Sequence, residues 1–369
     1  MHAPRHGADV DERVLPGLSY RPEPSMVAYE IRAVLPGDEP QLLEVARHLN
    51  SVNLPHDAGV IAEIVDQSHR SFTGEIQNPR LRQYVFGLVD REHDQIVGTS
   101  MIIAQLGRPG APYVYFDVFD EEKYSATIDK HFHHTVLKIG YSYNGPTEIG
   151  GLVLVPQLRR AGDRLGMMIS YVRFMYLAMH AEQFQQTVVA ELMPPLEPDG
   201  TSHLWEAVGR HFTGMSYAEA DLLSKKNKEF IKSLFPDGGI YASVLPPDAQ
   251  SVIGKTGAQT RGVEKLLRRI GFRYANRVDP FDGGPHYAAR LDEIELVHNT
   301  RRARADRPVT PSPGDKRALV AVEYPEPPYF RAVLTTIRED AGRGVAIAND
   351  AWEVLNVHHS SPIILLPIH

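Results

Sequence analysis

The sequence has no cysteine among its 369 residues. That excludes a disulfide scaffold, a thiolate metal site and a cysteine nucleophile. If the chain moves an acyl group, the group cannot pass through an enzyme thioester. Long apolar runs are missing as well. No stretch approaches the roughly 20 apolar residues of a membrane-crossing helix. The first 25 residues (MHAPRHGADVDERVLPGLSYRPEPS) are polar and hold four prolines. They lack the apolar run of about 7–15 residues that a secretory signal needs. The expectation is a cytoplasmic protein with a disordered arm over residues 1–27. Excess positive charge is also absent, since 39 Lys and Arg against 46 Asp and Glu leave a net charge of −7. That balance argues against nucleic acid or an anionic membrane as the main partner.

What is present is an ordinary globular composition, 43% apolar and 23% charged. The length suits two domains of roughly 150 residues, or one enlarged domain with an extension. Residues 29–34 have a short strand pattern, and 41–49 have helical spacing at Leu42, Leu43, Val45, Ala46 and Leu49. Residues 84–89 and 96–103 read as a hairpin, and 114–118 as a further strand. Helices are expected at 204–212, 217–223, 226–234 and 263–270, the last stopped by Gly271, with a turn at 279–285. The basic, Pro-rich stretch 299–317 reads as a linker. Strand patterns recur beyond it, so residues 28–298 are expected to form the main domain and 318–369 a strand-rich extension.

The centre of the chain carries the chemistry. Residues 148–155 form a strand by composition, ended by Pro156. A polar loop follows, holding Arg159, Arg160, Gly162, Arg164 and Gly166. A helix then starts at Met167, with Met168, Tyr171, Val172, Met175 and Met179 along one side, before a strand at 188–193. Free N–H groups at a helix N-terminus, beside arginines, favour phosphate. The loop spells neither G-x-x-x-x-G-K-[ST] nor G-x-G-x-x-G, so a P-loop or dinucleotide fingerprint is excluded. It fits the pyrophosphate loop of an acyl-CoA transferase, or else a basic turn capping a helix. The opening Ile31-Arg32-Ala33-Val34 with Pro36 and Asp38, and the Leu-rich helix closing on Gly271-Phe272-Arg273, look like the first and last elements of GNAT-type N-acyltransferases.

More specific stretches follow: Val189-Ala190-Glu191, Arg173-Phe174-Met175, Ala220-Asp221, Ile240-Tyr241 and Phe281-Asp282-Gly283-Gly284-Pro285. So does the order Ser202, Trp205, Gly209, Arg210, Phe212. In these, from about Ala28 to the carboxyl end, the chain resembles the arginine N-succinyltransferase family. The resemblance implies an α/β, GNAT-like acyl-CoA N-acyltransferase fold, with a central mixed sheet and a small β-rich C-terminal extension. It implies succinyl-CoA as donor substrate, no permanently bound cofactor and no metal. The acceptor would be the α-amino group of L-arginine, with ornithine as a second candidate, and the assembly a homo-oligomer or a hetero-oligomer with a paralogue. Leu152 falls where the family binds succinyl-CoA, and Leu154 lies beside it on the same strand.

One departure stands out. The family's proton-donor histidine lies in a Gly-x-x-His-Pro-Gln-Thr stretch, and here Gly257 occupies its place in Gly254–Thr260. Glycine has no side chain to move a proton. This leaves three readings: direct transfer with another proton route, a related transferase with a different acyl-CoA or amine, and a non-catalytic acyl-CoA-binding subunit. Glu191 is the carboxylate expected to hold the cationic acceptor or take its proton. Asp282 is expected either to bind the acceptor or to cap its turn. His203 and His211 are candidate replacements for the missing histidine. The run His131-Phe132-His133-His134 has no carboxylate completing a ligand pattern. Tyr241 reads as packing.

Overall fold

A computed structural model describes residues 27–48, 53–159, 164–224, 227–340 and 344–368. Among the described residues, fifteen strands hydrogen-bond into one continuous mixed sheet. The chain enters through β1 (Tyr29–Ala33), α1 (Glu39–Ala46) and α2 (Ala58–Phe72). Helix α2 starts where the Asp57 carboxylate accepts the Val60 N–H at 2.9 Å, an N-cap. Its Ile61, Ile64, Val65 and Ser68 form one buried stripe. The expected hairpin follows as β2 (Gln83–Asp90) and β3 (Gln95–Ile103). Strand β2 is buried on both faces, with Tyr84, Phe86 and Leu88 in one core and Val85 and Val89 in the one shared with α1 and α2.

The strand expected at 114–118 is longer, β4 (Tyr113–Ser125), and forms a second hairpin with β5 (Lys130–Ser142). Strand β5 had no sequence signal, because its first four residues are exposed whichever face they occupy. Apolar alternation arises only where one face is buried. The histidine run sits there. His131 and His133 share a face and flank Glu122 at 3.5 and 3.4 Å, all exposed.

The central unit comprises β6 (Thr147–Leu154), α3 (Leu165–Met179) and β7 (Thr187–Glu191). Helix α3 starts two residues before the expected Met167 and is buried nearly all round rather than along one stripe. Small elements follow: α4 (Arg210–Thr213), α5 (Tyr217–Ser224), α6 (Glu229–Leu234), β8 (Ile240–Tyr241), α7 (Pro247–Val252) and α8 (Arg261–Arg269). The helix expected at 204–212 is one continuous helical run whose centre, Trp205–Gly209, widens into a π turn that leads into α4. Next come β9 (Arg273–Val278), β10 (Pro285–Arg290) and α9 (Glu295–Asn299).

The expected linker at 299–317 is corrected by the structure. Arg301–Val309 is a strand, β11. It leads into β12 (Lys316–Glu323), β13 (Phe330–Asp340), β14 (Gly344–Ala348), α10 (Asn349–Val354) and β15 (Pro362–Ile368). Strand β11 pairs antiparallel with β15 and parallel with β14. Its arginines looked like a solvated charge run but tie it to neighbouring segments. Arg302 donates to the Met179 carbonyl at 3.0 Å, Arg304 donates to the Ser360 carbonyl at 2.9 Å, and Arg301 pairs with Glu339. The extension continues the sheet, since β13 pairs with β1 at Ile31 and Arg32. Strand β15 and α9 also pack on α3, which is why that helix needs no polar face.

Candidate active site

Strands β6 and β7 are parallel, but their register covers only Thr147–Val188 and Glu148–Val189. Beyond that point β6 and β7 separate, while on its other edge β7 stays paired with β10 along its whole length, from Thr187 with Arg290 to Glu191 with His286. The sheet therefore splays open at the C-terminal ends of two parallel strands, where α/β folds bind ligands. Opposite the gap, the β3–β6 register slips between Thr99 and Met101, so Gly151 and Leu152 bulge across from Ser100. Gly151 has φ +55° and lies against Met101, while its carbonyl accepts the Thr99 hydroxyl at 3.0 Å. Leu152 is thus on the bulge at the open edge.

Leu154 ends β6, and its carbonyl accepts Arg159 Nε at 2.9 Å. Arg159 is therefore partly committed to fastening the strand end. Arg164 sits at φ +55° immediately before α3, with an exposed side chain, and Gly166 has open space around its Cα. Arg160 and Gly162 lie outside the described residues.

A cavity of about 290 Å³ opens beside the splay, lined by Glu191, Glu148, Asp279, Asp221, Tyr113 and Lys228 among others. Glu191 is the last residue of β7. Its side chain lines the cavity and is 31% accessible. Burial, then the charges of Glu148 and Asp279, hold its carboxyl well above the usual range. Glu148 accepts Asn53 Nδ2 at 2.7 Å, and burial pushes its pKa up. Asp279 accepts the Phe281 N–H at 2.6 Å and is also raised, chiefly by burial. These carboxylates converge from β6, β7 and the β9–β10 turn, and Lys228 is the opposing charge.

Asp282 accepts the Gly284 N–H at 2.7 Å, so it caps its turn, and it does not line the cavity. Asp279, three residues earlier, takes that place. The quoted aromatic motif holds this turn. The Ser202 hydroxyl accepts the Trp205 N–H at 3.0 Å and donates to the Phe281 carbonyl at 2.7 Å. The Trp205 indole stacks on the Phe281 ring with centroids 5.0 Å apart. Trp205 is fully buried, so these residues support the site rather than touch a ligand.

The residue replacing the family histidine lies against the chain just after β7. Gly257 donates to the Met193 carbonyl at 2.8 Å, and a Cβ there would stand 2.6 Å from the Pro194 carbonyl oxygen. No side chain fits without backbone movement. Neither His203, paired with Glu197 at 2.7 Å, nor the exposed His211 lines the cavity. Tyr241 hydrogen-bonds Glu121, away from this site. The histidine that does reach the site is His286, which the sequence did not single out. It is fully buried on β10, its Nδ1 is 2.8 Å from the Tyr113 hydroxyl, and its Nε2 is 3.7 Å from Glu191 Oε1. Glu191, Asp279 and His286 each bring a donor atom within 4.8 Å of the others. The signal was slight: His286 follows the Phe281–Pro285 stretch directly, but cross-strand register with Glu191 is not readable from one strand.

The family model for the arginine N-succinyltransferase beta subunit matches residues 29–296. The chain belongs to the arginine N-succinyltransferase family. The arginine N-succinyltransferase of Enterobacter sp. (strain 638) is 31% identical over 309 residues, 82% of this chain and 88% of that one. That of Salmonella paratyphi B is 30% identical over 323 residues, 86% of this chain and 92% of that one. Among solved structures, arginine/ornithine succinyltransferase subunit AI from Pseudomonas aeruginosa matches with a TM-score of 0.78 and 26% identity. That match covers 93% of this chain and 99% of that one. Membership makes this chain an acyltransferase of GNAT-like α/β fold with a central mixed sheet. No helix among the described residues is long and apolar enough to cross a membrane.

Proposed function

We propose that this chain transfers the succinyl group of succinyl-CoA to the α-amino group of L-arginine. The carrying observation is the convergence of Glu148, Glu191 and Asp279 on one cavity beside the β6–β7 splay. Carboxylates held this close together are costly unless neutralised, and Lys228 is the cation that acts on all three. An acceptor bearing a guanidinium and an amine supplies further neutralisation. Asp279 is assigned to the acceptor's charge, in place of Asp282.

The donor occupies the splay. Backbone groups around Leu152 and Leu154 pair with the pantetheine amides, and the Arg159–Gly166 loop with the N-terminus of α3 holds the pyrophosphate. The amine nitrogen attacks the thioester carbonyl, forming the C–N bond. Glu191 takes the amine proton, the C–S bond breaks, and the CoA thiolate leaves and is protonated. With no cysteine, transfer runs in a ternary complex.

Ornithine is a second acceptor, since it shares the α-amine and a distal cation. Assembly with further copies or a paralogous subunit, in the cytoplasm, belongs to the same proposal. Free-thiol release from succinyl-CoA is measured with L-arginine, ornithine and acetyl-CoA controls. Release with succinyl-CoA and arginine is expected, and no release with either amine overturns the activity.

A further inference from the structure

His286 is the buried polar group that the reaction above leaves unused. Among the described residues its Nε2 has no hydrogen-bond partner, although the ring is fully buried. That atom cannot meet a substrate directly. It faces Glu191 Oε1 at 3.7 Å, across the paired strands β7 and β10.

The opposite nitrogen decides what Nε2 carries. Nδ1 lies 2.8 Å from the Tyr113 hydroxyl. Burial and the Glu191 charge push the Tyr113 phenol up, so it keeps its proton. The phenol O–H is placed to donate to Nδ1. Burial, reinforced by Arg277 and Lys228, lowers His286 to about 3, so the ring is neutral with a single N–H. With Nδ1 accepting from Tyr113, that hydrogen is on Nε2 and points at Glu191.

Resting on the reading of Glu191 as acceptor of the amine proton, we propose that His286 is a positioning residue. Its Nε2–H orients the Glu191 carboxylate and favours its ionised form, and Tyr113 fixes the tautomer that allows this. The other charged groups facing Glu191 and His286 are Glu148 from β6, Asp279 and Asp282 from the β9–β10 turn, Lys228 ahead of α6, and Arg277 from β9. The carboxylates all oppose ionisation of Glu191. Apo-state contacts of this kind are often long and tighten when substrate binds.

The test uses the full chain as wild type, His286→Asn, His286→Gln and Tyr113→Phe. Asparagine keeps an acceptor for Tyr113 but loses the group facing Glu191, whereas glutamine can place an N–H there. The Glu191 carboxyl is titrated by ¹³C NMR, assigned by its disappearance in Glu191→Gln, and the pH profile of kcat/KM is measured alongside. In His286→Asn the Glu191 midpoint and the acidic limb should both move up by about one pH unit. The rate near neutral pH should fall roughly tenfold. Tyr113→Phe should move the midpoint the same way by less, and His286→Gln should hold it near wild type. A midpoint unmoved in both His286→Asn and Tyr113→Phe overturns the proposal, as does a His286→Gln variant no better than His286→Asn. The titration needs no turnover, so it is read even if arginine proves not to be the acceptor.

Discussion

The proposed acceptor and donor sides of the site handle charge in opposite ways. At the proposed acceptor end, carboxylates lie close together and are fastened by named contacts, such as Asn53 to Glu148 and the Phe281 N–H to Asp279. At the donor end, the described residues offer mainly backbone around the Leu152 bulge, the start of α3 and the exposed side chain of Arg164. A compact amine with two cations is read by side-chain charge. On the proposed assignment, a long donor with amides and phosphates is read by backbone geometry, with charge added at its far end. Side-chain changes should therefore act strongly and specifically at the acceptor end and weakly at the donor end.

The largest expected effect is at Glu191. Glu191→Gln should lower kcat by roughly 10²–10³-fold, the usual share of a positioned base, with KM for succinyl-CoA little changed. Equal loss of donor binding would break the contrast between the ends. Asp279→Asn keeps the acceptor of the Phe281 N–H and removes the charge. It should raise KM for arginine about tenfold and leave the donor KM alone, as steady-state kinetics would show. At the donor end, Arg164→Ala combined with Arg160→Ala should raise KM for succinyl-CoA severalfold and kcat little. An unchanged donor KM removes the pyrophosphate assignment.

Gly257 sharpens the comparison from the other side. Because a Cβ there meets the Pro194 carbonyl at 2.6 Å, Gly257→His should cost about 1–3 kcal/mol of stability, read by denaturant unfolding. It should give no gain in turnover. A gain would mean the backbone yields and the family's proton route survives.

The smallest effect concerns stability and pH. Burial raises Glu148, Glu191, Asp279 and Asp282 above the carboxylate range, so each holds its proton more tightly in the folded chain. That contribution is complete below about pH 4 and is lost as pH rises through the raised values. The acid-to-alkaline drop in melting temperature of the ligand-free protein should shrink in the Glu191→Gln, Asp279→Asn double variant. An equal drop in both proteins would show that these carboxylates are not protonated in the fold.

Legibility differed by element. The β2–β3 hairpin, β6, β7 and the existence of α3 were readable because each has a buried face and a clear period. Strand β5 was not, since its exposed end lacks alternation, and β11 was mistaken for a linker because its arginines bond to neighbours unseen in sequence. Glu191 could be named from its strand, and it lines the cavity. Asp282 was chosen over Asp279 because both share one turn and only the folded turn decides which carboxylate faces inward. His286 was missed because its relation to Glu191 is a cross-strand register.

Composition and periodicity alone determined the absence of a cysteine intermediate and the strand–loop–helix–strand centre, while matched motifs carried the family resemblance and the loss of a side chain at position 257. These depend on residue identity and short periodicity, which one chain displays. The tertiary structure decided where charge collects. Glu148, Glu191 and the Asp279–His286 stretch are separated by tens of residues and share a site only because β6, β7 and β10 pair in one sheet. Their raised or lowered pKa values follow from burial and mutual distance, quantities that exist only once the chain is folded.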